Sequence, residues 1–380
     1  MARTSREVGR KKKLNSYYDF SLLFLILFIV GFGLVMIYSA SFYNSERIYG
    51  RGTAFLEKQA ISVALGVVVM LIVSKIDYHI LLKPLPIIKL NPTVSLYLLC
   101  LLLQTLVLFI GADINGAKRW IYIGGFSFQP SELAKIAVIL FTAYIVNLSP
   151  RSINKFGGFL RVCVFVFPLI LLVIIENLST AIIMSVSMVA VCFVASRNKK
   201  YFFISGVLAG AVMTVAVFAA SYRLERFRIW RNIETHPKGY QILQGLYANA
   251  SGGIFGKGLG KSMQKLGFIP ESHNDMIFSI ICEELGLFGA LALVLVFILL
   301  IWRIFIISVN APDLFGGLIA TGVLVHIAVQ VVINIAVVTN SIPSTGIPLP
   351  FISYGGTSVA ILLAEMGIVL SISNQIKYEK

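Results

Sequence analysis

The chain has 380 residues, 58% of them hydrophobic and only 13% charged, with a mean hydropathy of +0.88. Those proportions exclude a soluble globular domain and describe a multi-span membrane protein. The net charge of +15 collects in segments that flank apolar runs, so no nucleic-acid partner is expected.

A helix needs about 20 mostly apolar residues to cross a bilayer core of roughly 30 Å. Ten such runs follow one another, at 20–39, 59–74, 94–111, 133–148, 162–175, 177–196, 201–222, 276–301, 314–339 and 351–374. The fifth and sixth are split at Glu176-Asn177, because one helix over both would be roughly 50 Å long at 1.5 Å per residue. The fold class is therefore all-α, a polytopic integral membrane protein with ten transmembrane helices and one long extracytoplasmic loop. Residues 1–19 form a basic N-terminal segment, 20–375 the membrane domain with its loop at 223–275, and 376–380 a tail. With both termini inside, 18 of the 32 Lys and Arg residues fall on the cytoplasmic side, as the positive-inside rule requires. RKKK at 10–13 precedes the first span without a small-residue cleavage pattern, which reads as an uncleaved helix. Cys100, Cys163, Cys192 and Cys282 lie in apolar runs without paired spacing, so neither disulfides nor a thiolate metal site are expected.

Three stretches carry chemistry. In GADINGAKRWIYIGGFSFQPSELAK, residues 111–135, Pro130 and Ser131 suit a helix start and place Glu132 and Lys135 at i, i+3 on one face. The pair is either an ion pair holding the span in register or part of a polar cavity. Lys118, Arg119 and Trp120 sit just outside the membrane. In the loop 223–275, eight basic residues stand against four acids, which suits an anionic, phosphate-bearing substrate or else a loop drawn to lipid headgroups. RLERFRIWRN within it mixes basic and apolar residues as an interfacial helix does. GKGLGKS at 256–262 is no P-loop, since the glycine required five residues before Gly-Lys-Ser is Phe255; a flexible glycine loop is expected. PESHNDMIFSIICEELG at 270–286 then sets His273, Asn274 and Asp275 before an apolar run that contains Glu283 and Glu284. The third stretch is NSIPSTGIPLPFISYGGTS, 340–358, where three prolines prevent a regular helix and Gly355-Gly356-Thr357-Ser358 suits an anion-binding backbone nest. Glu365 needs a buried partner, and His326 reads as a satisfied buried histidine.

NGAKRW, FSFQPSELAK, GYQILQGLYANASGGIFGKGLG, QKLGFIPESHNDMIFSIICEELG and GIPLPFISYGGTS resemble, in order and spacing, the signatures of the shape, elongation, division and sporulation (SEDS) family of FtsW, RodA and SpoVE. The resemblance covers about residues 15–375 and is closer to the FtsW and SpoVE branch. It implies an inverting peptidoglycan glycosyltransferase that polymerises lipid II, an undecaprenyl-pyrophosphate-linked substrate, at the outer face of the bacterial cytoplasmic membrane. It also implies a class B penicillin-binding protein as partner. Asp275 matches the family's essential acid and is the expected base for the acceptor 4-hydroxyl. Lys118, Arg119, Trp120, Glu132, Lys135, Gln241, His273, Ser353, Tyr354, Gly355 and Gly356 are the expected substrate-binding residues. The leaving diphosphate would be met by Lys118, Arg119 and the basic loop, or by a divalent cation, Mg2+ or Mn2+, bridging it to Asp275. Glu283 and Glu284 read as structural polar contacts inside the bundle. Two departures stand out: HND replaces the family's usual HTD, and IENLSTA at 175–181 replaces QPDLGTA, so that Asn177 occupies an aspartate slot. A flippase for the same precursor, or an inactive scaffold for the transpeptidase, are the competing readings.

Overall fold

The computed structural model describes residues 15–86, 89–114, 117–123, 126–202, 206, 221–236 and 239–378. Among them are nine helices long and apolar enough to cross a membrane. They are α1 (Phe20–Tyr49), α2 (Ala54–Lys75), α3 (Pro92–Ile110), α4 (Pro130–Leu148), α5 (Phe156–Glu176), α6 (Leu178–Ala195), α9 (Ile277–Val309), α10 (Leu314–Val338) and α11 (Gly356–Gln375). The expected span at 201–222 lies almost entirely outside the described residues. Two shorter helices, α7 (Ser221–Arg231) and α8 (Tyr240–Ser251), lie in the long loop.

Local chemistry sets these boundaries. Pro92 and Pro130 each occupy a first turn, where the missing N–H is no loss. Glu176 ends α5, and the Asn177 side chain accepts from Ser179 N at 3.1 Å and Thr180 N at 3.3 Å to start α6. The chain therefore turns where the length argument divides it. Asn177 serves the cap as well as an aspartate would, so its departure from the family pattern leaves this local structure intact.

From α1 to α6 the helices run alternately between two ends, and α9, α10 and α11 do so again. At one end β1 (Asn15–Ser16) pairs antiparallel with β5 (Lys377–Tyr378), and Arg303 of α9 reaches the α1 cap Asp19 at 2.7 Å. A 3-10 turn, Tyr78–Leu82, lies there too, with His79 between Asp77 and Asp313, each at 2.6 Å. The opposite end carries α7, α8 and a small antiparallel sheet, β2 (Ala112–Ile114), β3 (Ala117–Ile123) and β4 (Phe126–Phe128), which the all-α expectation did not include. Aromatic and β-branched residues on both sides of Gly124-Gly125 in the sequence favour such a hairpin.

Burial separates lipid-facing helices from central ones. Over its most apolar window α2 is 22% buried, whereas α4 is 72%, α11 61% and α10 56% buried. Those three central spans hold Glu132, Lys135, His326, Gln330, Asn334 and Glu365, each no more than 5% exposed. A protein interior, rather than lipid, thus receives the costly groups.

Candidate active site

The site lies at the sheet-bearing end, where the loop after α10 meets the segment before α9. Residues 270–276 form turns, and the Ser272 hydroxyl donates to Ala40 O of α1 at 2.8 Å. The proline-rich segment then fastens the next residues in order. Tyr354 N donates to His273 O at 2.9 Å, Ser353 Oγ donates to Asn274 O at 2.7 Å, and Asn334 Nδ2 donates to Asp275 O at 2.9 Å. Three consecutive carbonyls are therefore held from two other elements, which fixes the backbone that carries Asp275. Phe351, buried beside this seam, has φ 65°, a conformation that a bulky residue keeps only where its surroundings impose it.

The side chains form a floor around that backbone. His273 is enclosed by Phe55 and Tyr354, with ring centroids 4.5 and 5.5 Å away. Burial drives its pKa down to about 4, so the ring is neutral at physiological pH. Asp275 moves the opposite way. Burial, reinforced by the neighbouring Glu271 charge, pushes its carboxyl up to about 6 against the pull of Arg226. Desolvation thus outweighs the nearby cation at Asp275, and that cation, Arg226, comes from α7. Arg226 is itself anchored by donating to Ser344 O at 2.9 Å, and Trp230, one turn on, donates to Asn340 O at 2.8 Å. The basic helix thereby docks on the proline-rich segment.

Glu132 and Lys135 pair at 3.1 Å, buried in α4. Ser358 Oγ donates to Glu132 at 2.5 Å and Thr357 Oγ1 to Ser127 O at 3.2 Å, joining the start of α11 to α4 and β4. Gly355 N donates to Gln59 Oε1 of α2 at 3.1 Å, so the amide that an anion nest would offer is already engaged; Gly356 follows as the first residue of α11. The glycine pair is a junction of α2, α4 and α11.

The remaining expected residues are more dispersed. Arg119 Nε donates to Glu176 O at 2.9 Å, which ties β3 to the end of α5, and Trp120 is half-buried opposite Ala112 in the sheet. The Lys118 side chain lies outside the described residues. Gln241 is half-buried in the first turn of α8. Glu176 is the displaced acid of the IENLSTA departure, and it accepts from Gln104 Nε2 at 2.5 Å inside the bundle.

Glu283 and Glu284 bind the outer loop rather than other spans of the bundle, Ser39 apart. Lys257 Nζ reaches Glu283 at 2.6 Å, and Ser262 Oγ also donates to it; Lys265 Nζ and Ser39 Oγ both meet Glu284 at 2.7 Å. Lys257 N and Gly258 N donate to the carbonyls of Glu283 and Glu284. The glycine loop is thus docked on α9, and two of its lysines are committed to carboxylates instead of phosphate. The docking is made by backbone contact. Gly286 breaks α9 with φ 67°, and a Cβ there would stand 2.3 Å from Gly256 N.

Gln330 and Asn334 escaped the sequence reading altogether. With His326 they recur every fourth residue in an otherwise apolar span, a signal that could have exposed them as one polar stripe. Unpartnered buried atoms mark the same region: His273 Nδ1, Gln59 Nε2 and Asn334 Oδ1 have no protein hydrogen-bond partner among the described residues. Buried polar atoms of this kind call for a ligand or water. No group of three His, Cys, Asp or Glu side chains able to hold a metal exists among the described residues. Asp275 supplies one carboxylate, which suffices for Mg2+ or Mn2+ only where substrate phosphates complete the shell.

Fold and site define a polytopic helical membrane protein with a half-buried carboxylate held at one end of its bundle. A family model described as "Cell cycle protein", covering FtsW, RodA and SpoVE, matches residues 20–378. The chain belongs to this family, on its FtsW and SpoVE branch. Stage V sporulation protein E of Bacillus subtilis is 36% identical over 366 residues, 95% of this chain and 98% of its own. A probable peptidoglycan glycosyltransferase FtsW of Trichlorobacter lovleyi is 37% identical over 377 residues, 98% and 97% of the two chains. Among solved structures, a chain from a peptidoglycan synthase complex, described for its coordination of polymerization and crosslinking, is 26% identical and aligns over 96% of this chain and 99% of its own, with a TM-score of 0.77. The rod shape determining protein RodA of Thermus thermophilus is 25% identical over 94% and 97%, with a TM-score of 0.67.

Proposed function

We propose that this protein is a peptidoglycan glycosyltransferase that polymerises lipid II at the outer face of the bacterial cytoplasmic membrane, in cell division or sporulation. The observation that carries the reading is Asp275: a carboxyl raised to about 6, at the end of the bundle, on a backbone fixed by three hydrogen bonds. A base near neutrality is strong enough to take a hydroxyl proton and still ionised at working pH.

In the reaction, Asp275 accepts the proton of the acceptor 4-hydroxyl as that oxygen bonds to the donor's anomeric carbon. The bond from that carbon to the diphosphate oxygen breaks with inversion, and the electron pair leaves on undecaprenyl diphosphate. His273, Ser353 and Tyr354 position Asp275. Lys135, oriented by Glu132 and Gln330, and Arg226 place positive charge in the region where the diphosphate develops its own. Gln59, Asn334 and His273 hold unpartnered polar atoms suited to sugar hydroxyls. Lys118, Arg119, Trp120 and Gln241 join the substrate-binding set by resemblance to the family, whereas Gly355 and Gly356 serve as the junction of α2, α4 and α11. A bound Mg2+ or Mn2+ ion held by Asp275 would neutralise diphosphate charge.

The end carrying β2, β3 and β4 faces outward, and the end carrying β1 and β5 faces the cytoplasm. A class B penicillin-binding protein is the partner that crosslinks the product. A carrier would need its polar site near the midplane with access from both leaflets; Asp275 at one end favours the polymerase.

The test is polymerisation of purified lipid II by the purified protein with its cognate class B partner. Wild type is expected to make long glycan strands, and Asp275→Ala and Asp275→Asn none, while both variants remain folded and partner-bound. Normal polymerisation by either variant removes Asp275 as base. An inactive wild type in a verified complex returns the transporter and scaffold readings.

A further inference from the structure

His326, Gln330 and Asn334 lie on one face of α10 at four-residue spacing, each 1% exposed. Each joins a different part of the protein. Asn334 Nδ2 donates to Asp275 O at 2.9 Å and to Ile347 O at 2.8 Å. Gln330 Nε2 donates to Pro348 O at 3.0 Å, while its Oε1 accepts from Lys135 Nζ at 3.2 Å. His326 Nε2 lies 3.1 Å from that same Oε1, and its Nδ1 lies 3.0 and 3.1 Å from the two Glu365 oxygens.

Donor and acceptor chemistry fixes the protons in this chain. A carbonyl only accepts and an ammonium only donates, so Pro348 and Lys135 together prevent the Gln330 amide from turning over. The atom facing His326 Nε2 is therefore an acceptor, and Nε2 must carry hydrogen. At the other side of the ring, Nδ1 meets a carboxyl group. That contact needs one further proton, either on Nδ1 beside ionised Glu365 or on Glu365 beside a neutral ring. In both arrangements the pair is electroneutral, which suits two ionisable groups deep inside a membrane bundle.

We infer that His326 and Glu365 are positioning residues for the outer site: Glu365 fixes the Nε2–H form of His326, which holds Gln330 with its acceptor toward Lys135. In the opposite tautomer a bare Nε2 lone pair would face Oε1. Gln330 would then swing away, leaving Lys135 with Glu132 alone and releasing Pro348 from the segment that clamps Asp275. The activity arm of this inference rests on the glycosyltransferase reading; the proton arm does not.

Glu365→Gln and Glu365→Leu separate the alternatives within one site. A glutamine amide donates to Nδ1 and imposes the Nε2–H tautomer, so near-wild-type kcat is expected. Leucine leaves Nδ1 free, and kcat is expected to fall about 10-fold or more with KM little changed, the scale of losing an orienting partner. In a Gln330→Met background, His326→Leu should add no further loss, because it acts through Gln330. Independently of activity, 15N NMR on histidine-labelled protein reads the tautomer directly: the chain has four histidines, and the resonance lost in His326→Leu should show protonated Nε2 in wild type and Glu365→Gln. A bare Nε2 in wild type overturns the inference. So does equal loss in the Gln and Leu variants, or additivity of His326→Leu with Gln330→Met. If wild type polymerises nothing, the glycosyltransferase reading fails, while the NMR result still decides the proton arrangement.

Discussion

At the scale of single residues, the useful quantity is how hard each group is pushed from its ordinary protonation. Burial pushes the Asp275 carboxyl up to about 6, so a rate that needs its ionised form should fall below pH about 6 rather than near pH about 4. The neighbours give the sign for variants. Glu271 is exposed and its negative charge disfavours ionisation of Asp275, so Glu271→Gln should move the acid limb to lower pH. Polymerisation rates across that range check this, and a limb unmoved by Glu271→Gln would show that another group controls it. The same shift bears on stability. A carboxyl whose folded value lies above its unfolded value favours folding only when protonated, so above pH about 6 ionised Asp275 opposes the fold. Asp275→Asn should therefore melt at or above the wild-type temperature at neutral pH while making no glycan. Asn177 gives a contrasting case, in which side-chain geometry rather than charge matters. Asn177→Asp should leave thermal stability unchanged, and Asn177→Ala should lower it by about 1 kcal/mol, the usual worth of a helix N-cap.

At the scale of elements, the docked outer loop is the clearest structural device. Lys265 and Glu284 are 7% and 0% exposed, and Ser39 bonds to both. Removing one charge of a buried pair costs about 3–5 kcal/mol, while replacing both by apolar groups can be nearly neutral. Lys265→Met alone should accordingly destabilise more than Lys265→Met with Glu284→Met, measured by thermal unfolding in detergent; the reverse order would mean that this pair is effectively solvated. These elements also show what a sequence can and cannot carry. The spans are legible because a run of apolar residues is a local property, and the Glu176-Asn177 break is legible because one helix cannot be 50 Å long and cross once. The sheet at residues 112–128 was missed because short strands outside a membrane lack a long periodic signal. The docking of residues 252–269 onto α9 was missed for a different reason. It depends on Gly256 and Gly286 touching backbone to backbone across the chain, and no window of sequence contains both the loop and the kink.

At the scale of the whole molecule, the alternation of α1 to α6, and of α9 to α11, makes each connection within those two runs a statement about sidedness. The candidate site shows the same logic: Asp275, Glu132 and Lys135 were legible as ionisable groups near membrane runs, whereas their joining through Asn334 and Gln330 required α10 to be placed between them. Once that placement is accepted, the two ends of the bundle are chemically distinct, one holding Asp275 and the docked loop, the other holding β1, β5 and the Asp19–Arg303 pair. Single cysteines read this out. Arg51 and Lys261 are exposed at the first end, Arg151 and Asn310 at the second. The native thiols give a low background, because Cys100 and Cys192 are buried and Cys163 and Cys282 are half-buried within spans. A membrane-impermeant maleimide applied to intact cells should label Arg51→Cys and Lys261→Cys, and should reach Arg151→Cys and Asn310→Cys only after permeabilisation. The inverse pattern would put Asp275 on the cytoplasmic side, where an outer-leaflet polymerase cannot use it. Labelling of all four from outside would break the alternation itself, and with it the convergence of α4, α9, α10 and α11 on a single site.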